Sequence, residues 1–236
     1  MGRHLEFRIR VIYSDAALRT HHEEIVPIIL AAGSSKNLAF PKALAKFGRK
    51  TALQLAIDNC AGLSRAIVVL GSEARKIRPE VPECGRVIVN RRWREGQISS
   101  LRCALRHIPV SAAFMIYPVD HCLLRKCTVQ GLVRAFLHRE NGKQIVTPRH
   151  KGRLGHPIIV ASAVRREFFT AETAREIVYR DPRRNLVIQV STSTIYEDFD
   201  TPDTYRRCLR KFLTARRAGL NETSLARQMP VAQSRK

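Results

Sequence analysis

Residues 28 to 48 read IILAAGSSKNLAFPKALAKFG: an apolar, β-branched run gives way to the small residues Ala31, Ala32, Gly33, Ser34 and Ser35, and then to Pro41 and Lys42. The run starts at Ile25 as IVPIIL, which has the length and composition of a strand buried on both faces. Similar segments follow at 66 to 70 (AIVVL), 86 to 90 (RVIVN), 112 to 117 (AAFMIY), 144 to 148 (QIVTP), 157 to 161 (PIIVA) and 185 to 190 (NLVIQV). Helical patterns fall between them. TALQLAIDNCAGL puts Leu53, Ala56, Ile57 and Cys60 on one face and is expected to finish near Gly62, while SSLRCALRHI offers Ser99 and Ser100 as N-caps. TVQGLVRAFLHRENG is expected to end at Asn141-Gly142, and a weaker strand is read in STSTIYED, just before Asp200. Strands alternating with helices predict an α/β fold, a single doubly wound, mostly parallel sheet with helices on both faces.

The chain has 236 residues, which suits one domain with its own core. We expect an N-terminal extension (1–24), one domain (25–214) and a basic, disordered tail (215–236). Lys and Arg number 42 against 20 Asp and Glu, a net charge of +22. The three segments 1 to 24, 25 to 205 and 206 to 236 carry 0, +14 and +8, so most of the excess lies in the body. A hydrophobic content of 44% excludes a wholly unfolded basic protein. No apolar run approaches the ~20 residues of a membrane span, and the N-terminus lacks the apolar segment of a secretory signal, so the expected compartment is the cytoplasm. Six cysteines without a CxxC pair agree with a reducing compartment. A cationic body calls for anionic partners. No zinc finger, basic zipper or aromatic-studded RNA-binding strand is present, so nucleic acid is not the expected one. Many arginines, such as Arg134 and Arg139 on a helix face, need only solvate the surface.

The loop after the first strand occupies the default ligand crevice of an open α/β sheet, at the carboxyl ends of the strands. Small side chains let backbone N–H groups approach phosphate oxygens, and Lys42, nine positions after Gly33, supplies a point charge. It is neither a Walker loop nor GxGxxG. By residue type alone, such a loop is more often tight packing than a phosphate cradle, since glycine serves any turn that needs positive φ.

Further motifs lie in order along the chain: VVLG (68 to 71), N-x-x-W-x-x-G-x-x-S-S-L (Asn90 to Leu101), YPVDHCLL (117 to 124), GRLGHP (152 to 157) and DFDTPDTY (198 to 205). With LAAG-x-S and the following Pro-Lys, this set resembles the MobA-like nucleotidyltransferases, whose signature has the form LAAGxSxRMGxPK. The closer likeness is to the molybdenum cofactor cytidylyltransferases. The resemblance covers nearly the whole domain and implies the Rossmann-like nucleotide-diphospho-sugar transferase fold. It also implies transfer of an NMP, CMP from CTP, onto a phosphorylated acceptor such as molybdopterin, with release of pyrophosphate. A molybdoenzyme or its chaperone is the implied protein partner.

Residue by residue, the resemblance assigns Leu30, Ala31, Ala32, Gly33, Ser34, Ser35, Lys36, Lys42, Gly71, Asn90 and Ser100 to the nucleotide. Ser99, Gly155 and His156 fall to the acceptor, with Arg149, Lys151 and Arg153 nearby for an anionic one. Nucleotidyl transfer needs a divalent cation, Mg²⁺ by expectation, held by one or two carboxylates and phosphate oxygens. Asp120, directly after a buried strand, and Asp200 suit it, with Asp198 in reserve, and Lys42 and Asp120 are the expected catalytic pair. Asp200 has a second reading, because D-T-P-D also suits a helix start with Pro202 first and Asp203 in the first turn. His121, Cys122 and Cys127 match no standard zinc spacing. The chain departs from the family at Asn37, where the family has the arginine that binds the β- and γ-phosphates. Lys36 stands one position earlier. The departure leaves a second reading, a non-catalytic nucleotide-binding or regulatory protein on the same fold; within the enzyme class the alternative is a sugar-phosphate nucleotidyltransferase.

Overall fold

In β1 (Ile25–Ala31) every residue is buried, and alternate side chains enter opposite cores: Ile25, Ile29 and Ala31 face one, Val26, Ile28 and Leu30 the other. That two-sided burial makes β1 a central strand in this computed structural model, which describes residues 23–217. The chain continues through β2 (Lys46–Phe47), β3 (Lys50–Thr51), α1 (Ala52–Asn59), β4 (Ala66–Leu70), α2 (Ala74–Ile77), β5 (Gly85–Val89), α3 (Gln97–Leu105) and β6 (Ala113–Pro118). Then come α4 (Lys126–Leu137), β7 (Ile145–His150), β8 (Arg153–Leu154), β9 (Ile158–Val160), α5 (Ala174–Tyr179), β10 (Asn185–Gln189) and α6 (Pro202–Arg217). The main sheet runs β10-β7-β9-β6-β1-β4-β5, with β8 attached to β7. Pairings are parallel except where β9 meets β6 and β7 and where β8 meets β7. The sheet is mostly parallel, as expected, and all seven predicted strands lie in it.

One face is covered by α1 and α4 through Leu53, Ala56, Ile57, Val129, Leu132 and Phe136. The other is covered by α3 and a 3-10 segment, Ser162–Phe169, through Leu101, Ala104, Leu105, Val164 and Phe168. A third, smaller apolar cluster sits above the sheet: Ala45, Phe47, Ala52, Cys122, Leu123, Phe199 and Cys208. Phe47 packs against Phe199, Tyr205 and Phe212 at ring separations of 5.8, 5.5 and 5.7 Å. The Tyr205 hydroxyl donates to the Lys46 carbonyl at 2.7 Å. This cluster binds together three chain segments far apart in sequence, and each carries one residue of the site.

Several local expectations need correction. Ser99 and Ser100 are not N-caps: the helix starts two residues earlier, after Gly96, whose φ of +89° makes the turn. The helix expected to end at Asn141-Gly142 stops at Leu137, and Gly142, at φ +87°, belongs to the turn beyond. STSTIYED is not a strand. Residues Ser193–Tyr196 form a 3-10 turn, because the Thr192 hydroxyl accepts from the Thr194 N–H and offers the backbone a local alternative to a ladder. The cap of α6 is Thr201, not Asp200: its hydroxyl accepts from the Thr204 N–H while the Thr204 hydroxyl accepts from the Thr201 N–H. The extension up to residue 22 and the tail from 218 lie outside the described residues, and α6 reaches three residues past Thr214. No helix among the described residues is long and apolar enough to cross a membrane.

Candidate active site

The small-residue loop opens where β1 ends, at the carboxyl edge of the sheet. Leu30 to Ser35 line a cavity of about 350 Å³ together with Lys42, Pro118, Val119 and Asp120. Gly33 is exposed, and a Cβ there would meet nothing within 4 Å, so its smallness keeps the mouth open instead of relieving strain. The Ser35 hydroxyl accepts from the Lys42 N–H at 2.8 Å and closes the loop, which fixes where the lysine stem begins. Lys36 and Asn37 are exposed on the turn between and do not line the cavity.

Lys42 draws the two predicted carboxylates together. Its Nζ donates to Asp120 Oδ2 at 3.1 Å and to Asp200 Oδ1. Asp120 follows β6, Asp200 precedes α6, and the buried Phe199 in the third cluster anchors the latter. The other oxygen of Asp120 meets His121 Nδ1 at 3.2 Å. Burial pushes the Asp120 carboxyl up, but the hydrogen bond and charge of His121, and then Lys42, outweigh it and hold it at about 2. Burial pulls the Lys42 ammonium down, yet the charge of Asp120 and the hydrogen bond to Asp200 leave it above the ordinary lysine value. Asp198 is exposed and stays outside this cluster, offering only its carbonyl to the Cys208 thiol at 3.6 Å.

Of the other predicted residues, Ser100 lines the cavity, whereas Asn90 and Ser99 are buried beside it and do not line it. Asn90 Nδ2 donates to both serine hydroxyls at 2.9 and 3.0 Å, and Ser99 donates to the carbonyls of Arg92 and Gly96. Gly71 lies behind the loop, where a Cβ would come within 2.5 Å of the Ala32 carbonyl and 2.7 Å of Trp93 Cβ. Residues with no role assigned from the sequence also face the cavity: Ile77, Trp93, Arg94 and Gln97. Trp93 stands in the quoted N-x-x-W motif, so the signal was present. The Arg94 guanidinium lies 4.6 Å over its ring. The N-terminus of α3 carries no side-chain cap, and Gly96 and Gln97 place it at the cavity.

His156 lies on the far side of Asp120, its ring 5.0 Å from that of His121. Arg149 stands opposite Leu154 in β8, but the β7–β9 register, Val146 opposite Ile159, leaves His156 and Pro157 as two extra residues between the pairings. That bulge turns the imidazole away from β7 toward Asp120. Burial keeps His156 neutral, with its pKa pushed down to about 4, and its Nδ1 has no partner among the described residues. Gly155 is required by close approach, since a Cβ would overlap the Ile195 carbonyl, which also accepts the His156 N–H at 2.6 Å. Arg149 Nε is buried without a partner, Arg153 lies over Tyr196 at 4.4 Å, and Lys151 is exposed in the β7–β8 turn.

Asp120 and Asp200 reach one common atom, so a cation in that position could be held by both carboxylates. No group of three or more His, Cys, Asp or Glu suited to a metal occurs among the described residues. Two carboxylates plus substrate oxygens fit Mg²⁺ or Mn²⁺, which keep few protein ligands at phosphate sites, and do not fit a structural zinc.

A doubly wound sheet with a small-residue loop at its carboxyl edge, facing a lysine between two carboxylates, defines an enzyme that handles nucleoside triphosphates. Residues 27–186 match the model of the MobA-like NTP transferase domain, and the chain belongs to that family of nucleotidyltransferases. It is similar to the Rv0371c protein of Mycobacterium tuberculosis H37Rv, with 26% identity, a TM-score of 0.68, and coverage of 80% of this chain and 99% of that one. A complex of Rv0371C with manganese aligns at 24% identity and TM-score 0.64, covering 79% and 98%. Molybdopterin-guanine dinucleotide biosynthesis protein A from Archaeoglobus fulgidus shares the fold at 14% identity and TM-score 0.61, covering 80% and 99%. A comparison with curated protein sequences finds no match.

Proposed function

We propose that the protein transfers CMP from CTP to the terminal phosphate of a small acceptor, molybdopterin being the preferred one, and releases pyrophosphate. The observation that carries this is the convergence of Lys42, Asp120 and Asp200 at the mouth of the cavity lined by residues 30 to 35. An acceptor phosphate oxygen forms the new bond to the α-phosphorus, and the bond to the β-phosphate bridging oxygen breaks with its electron pair, so pyrophosphate leaves. Nothing covalent is asked of the protein, whose contribution is positioning and charge. Backbone N–H groups of residues 31 to 35 and the open N-terminus of α3 cradle the triphosphate, and Lys42 offsets the charge that grows on it. When bound by Asp120 and Asp200, a divalent cation supplies further neutralisation of the phosphates. The neutral His156, with its free Nδ1, and Arg149 face the acceptor side.

The arginine missing at position 37 has a candidate replacement in Arg94, the only guanidinium among the residues that line the cavity. Ala32 supports CTP over GTP. Its methyl stands in the cavity wall, packed behind against Gly71, at the position where the guanylyl branch has the first glycine of LAGG. The test is pyrophosphate release from CTP or GTP with Mg²⁺, offered molybdopterin or a panel of sugar 1-phosphates. Turnover with CTP and molybdopterin is expected. Turnover with a sugar phosphate alone would reassign the acceptor, and none with any pair would leave a nucleotide-binding protein.

A further inference from the structure

We propose that Lys42 is an internal counter-ion that fills the cation position between Asp120 and Asp200 in the nucleotide-free protein, making divalent-cation binding conditional on the triphosphate. This rests on the reading of those carboxylates as the cation-holding pair. Nζ contacts Asp120 Oδ2 at 3.1 Å and Asp200 Oδ1, so the ammonium stands where both carboxylates would reach a metal. The pair carries a charge of about −2, and the lysine reduces it to about −1 while repelling an incoming cation at contact range. The second oxygen of Asp120 is engaged by His121, so each of its two oxygens already has a partner in the nucleotide-free protein.

The lysine is built to leave. Its backbone is fixed by the Ser35 hydroxyl at 2.8 Å and by the buried Ala43, whereas the four-carbon stem and three rotatable donors let Nζ move without the chain moving. Lys42 lines the same cavity as residues 31 to 35, so a bound triphosphate would present new oxygens to the ammonium. Asp200, 61% exposed, is the carboxylate free to adjust as the lysine departs. Linkage then requires reciprocity: if nucleotide strengthens cation binding, cation strengthens nucleotide binding by the same factor.

The experiment is Mn²⁺ binding to the full chain, followed by calorimetry and electron paramagnetic resonance, with Mn²⁺ alone and with α,β-methylene-CTP after allowance for Mn²⁺ held by the analogue itself. Lys42→Met should bind Mn²⁺ alone at least tenfold tighter than wild type, and the analogue should strengthen Mn²⁺ binding at least tenfold more in wild type than in the variant. Lys42→Gln repeats the comparison if the methionine variant is poorly folded by circular dichroism. If neither folds, the wild type alone decides, since an affinity unmoved by the analogue overturns the proposal. Equal Mn²⁺ affinity in wild type and Lys42→Met also overturns it. Failure of the underlying reading is distinct: with the analogue present, Asp120→Asn/Asp200→Asn would then bind Mn²⁺ as well as wild type.

Discussion

Replacing Asp120 by asparagine keeps the shape and removes the charge, and it isolates what that charge does. Clusters of acids built to hold a cation usually cost stability, because like charges repel and burial penalises each of them. Here the balance has the other sign. The Asp120 carboxyl, 19% exposed, is held at about 2 against 3.8 for an ordinary aspartate, a preference for the charged form worth roughly 2 kcal/mol. A depressed carboxyl pKa contributes stability that is fully present above the unfolded value near 4 and is lost as pH falls through about 2. Asp120→Asn should therefore unfold at about 1 M less urea at pH 7, taking a slope of ~2 kcal/mol per molar. The gap to wild type should hold down to about pH 5 and then narrow toward pH 2. Pyrophosphate release should be lost at every pH. Equal or greater stability of the variant at pH 7 would refute the claim that His121 and Lys42 overcompensate for burial.

Other perturbations separate the parts of the site. Asn37→Arg restores the family guanidinium on an exposed turn; a rise in kcat/KM of tenfold or more with CTP is expected if the phosphate path is preserved, and no change would leave Arg94 as sufficient. Arg94→Ala should raise the KM for CTP about tenfold or more, in keeping with ~1.5–3 kcal/mol for a charged hydrogen bond, and an unaltered KM would remove it from the phosphates. Ala32→Gly should bring the ratio of kcat/KM for CTP over GTP closer to one, and an unmoved ratio would place base selection elsewhere. Gly155→Ala forces a methyl against the Ile195 carbonyl, which is backbone and cannot swing aside. A loss of about 1–3 kcal/mol in urea unfolding is expected, with a raised KM for the acceptor, and a neutral effect would refute the close approach.

The strands were legible because burial on both faces writes itself as short β-branched runs, and β1, with all seven residues buried, is the clearest. Asp120 could be proposed because it follows a buried strand end where apolar packing gives no reason for a charge, whereas Lys42, eleven residues past β1, was found through the Pro-Lys that ends the LAAG motif of the resemblance. Strand direction was not legible: the PIIVA segment looks like its neighbours, yet β9 runs antiparallel to both, a fact of long-range pairing. That reversal and the two-residue bulge at His156–Pro157 bring His156 to Asp120 across 36 residues. Helix starts were misjudged where glycine geometry overrode side-chain capping, as at Gly96. The third cluster could not be read either, because Phe47, Cys122 and the Phe199–Cys208 stretch come from three segments far apart in sequence with no shared periodicity. It nonetheless holds the segments that carry Lys42, Asp120 and Asp200 together. Of the bases behind the net charge of +22, Lys42 and Arg94 face the cavity, and most others among the described residues cover the surface.

The most direct measurement is a crystal structure of the protein grown with Mn²⁺ and α,β-methylene-CTP, with manganese located by its anomalous scattering. The account predicts a manganese peak between Asp120 and Asp200, the triphosphate against residues 31 to 35, and the cytosine near Ala32 and Ser100. Manganese or nucleotide bound elsewhere, with Lys42 still seated on both carboxylates, would contradict it.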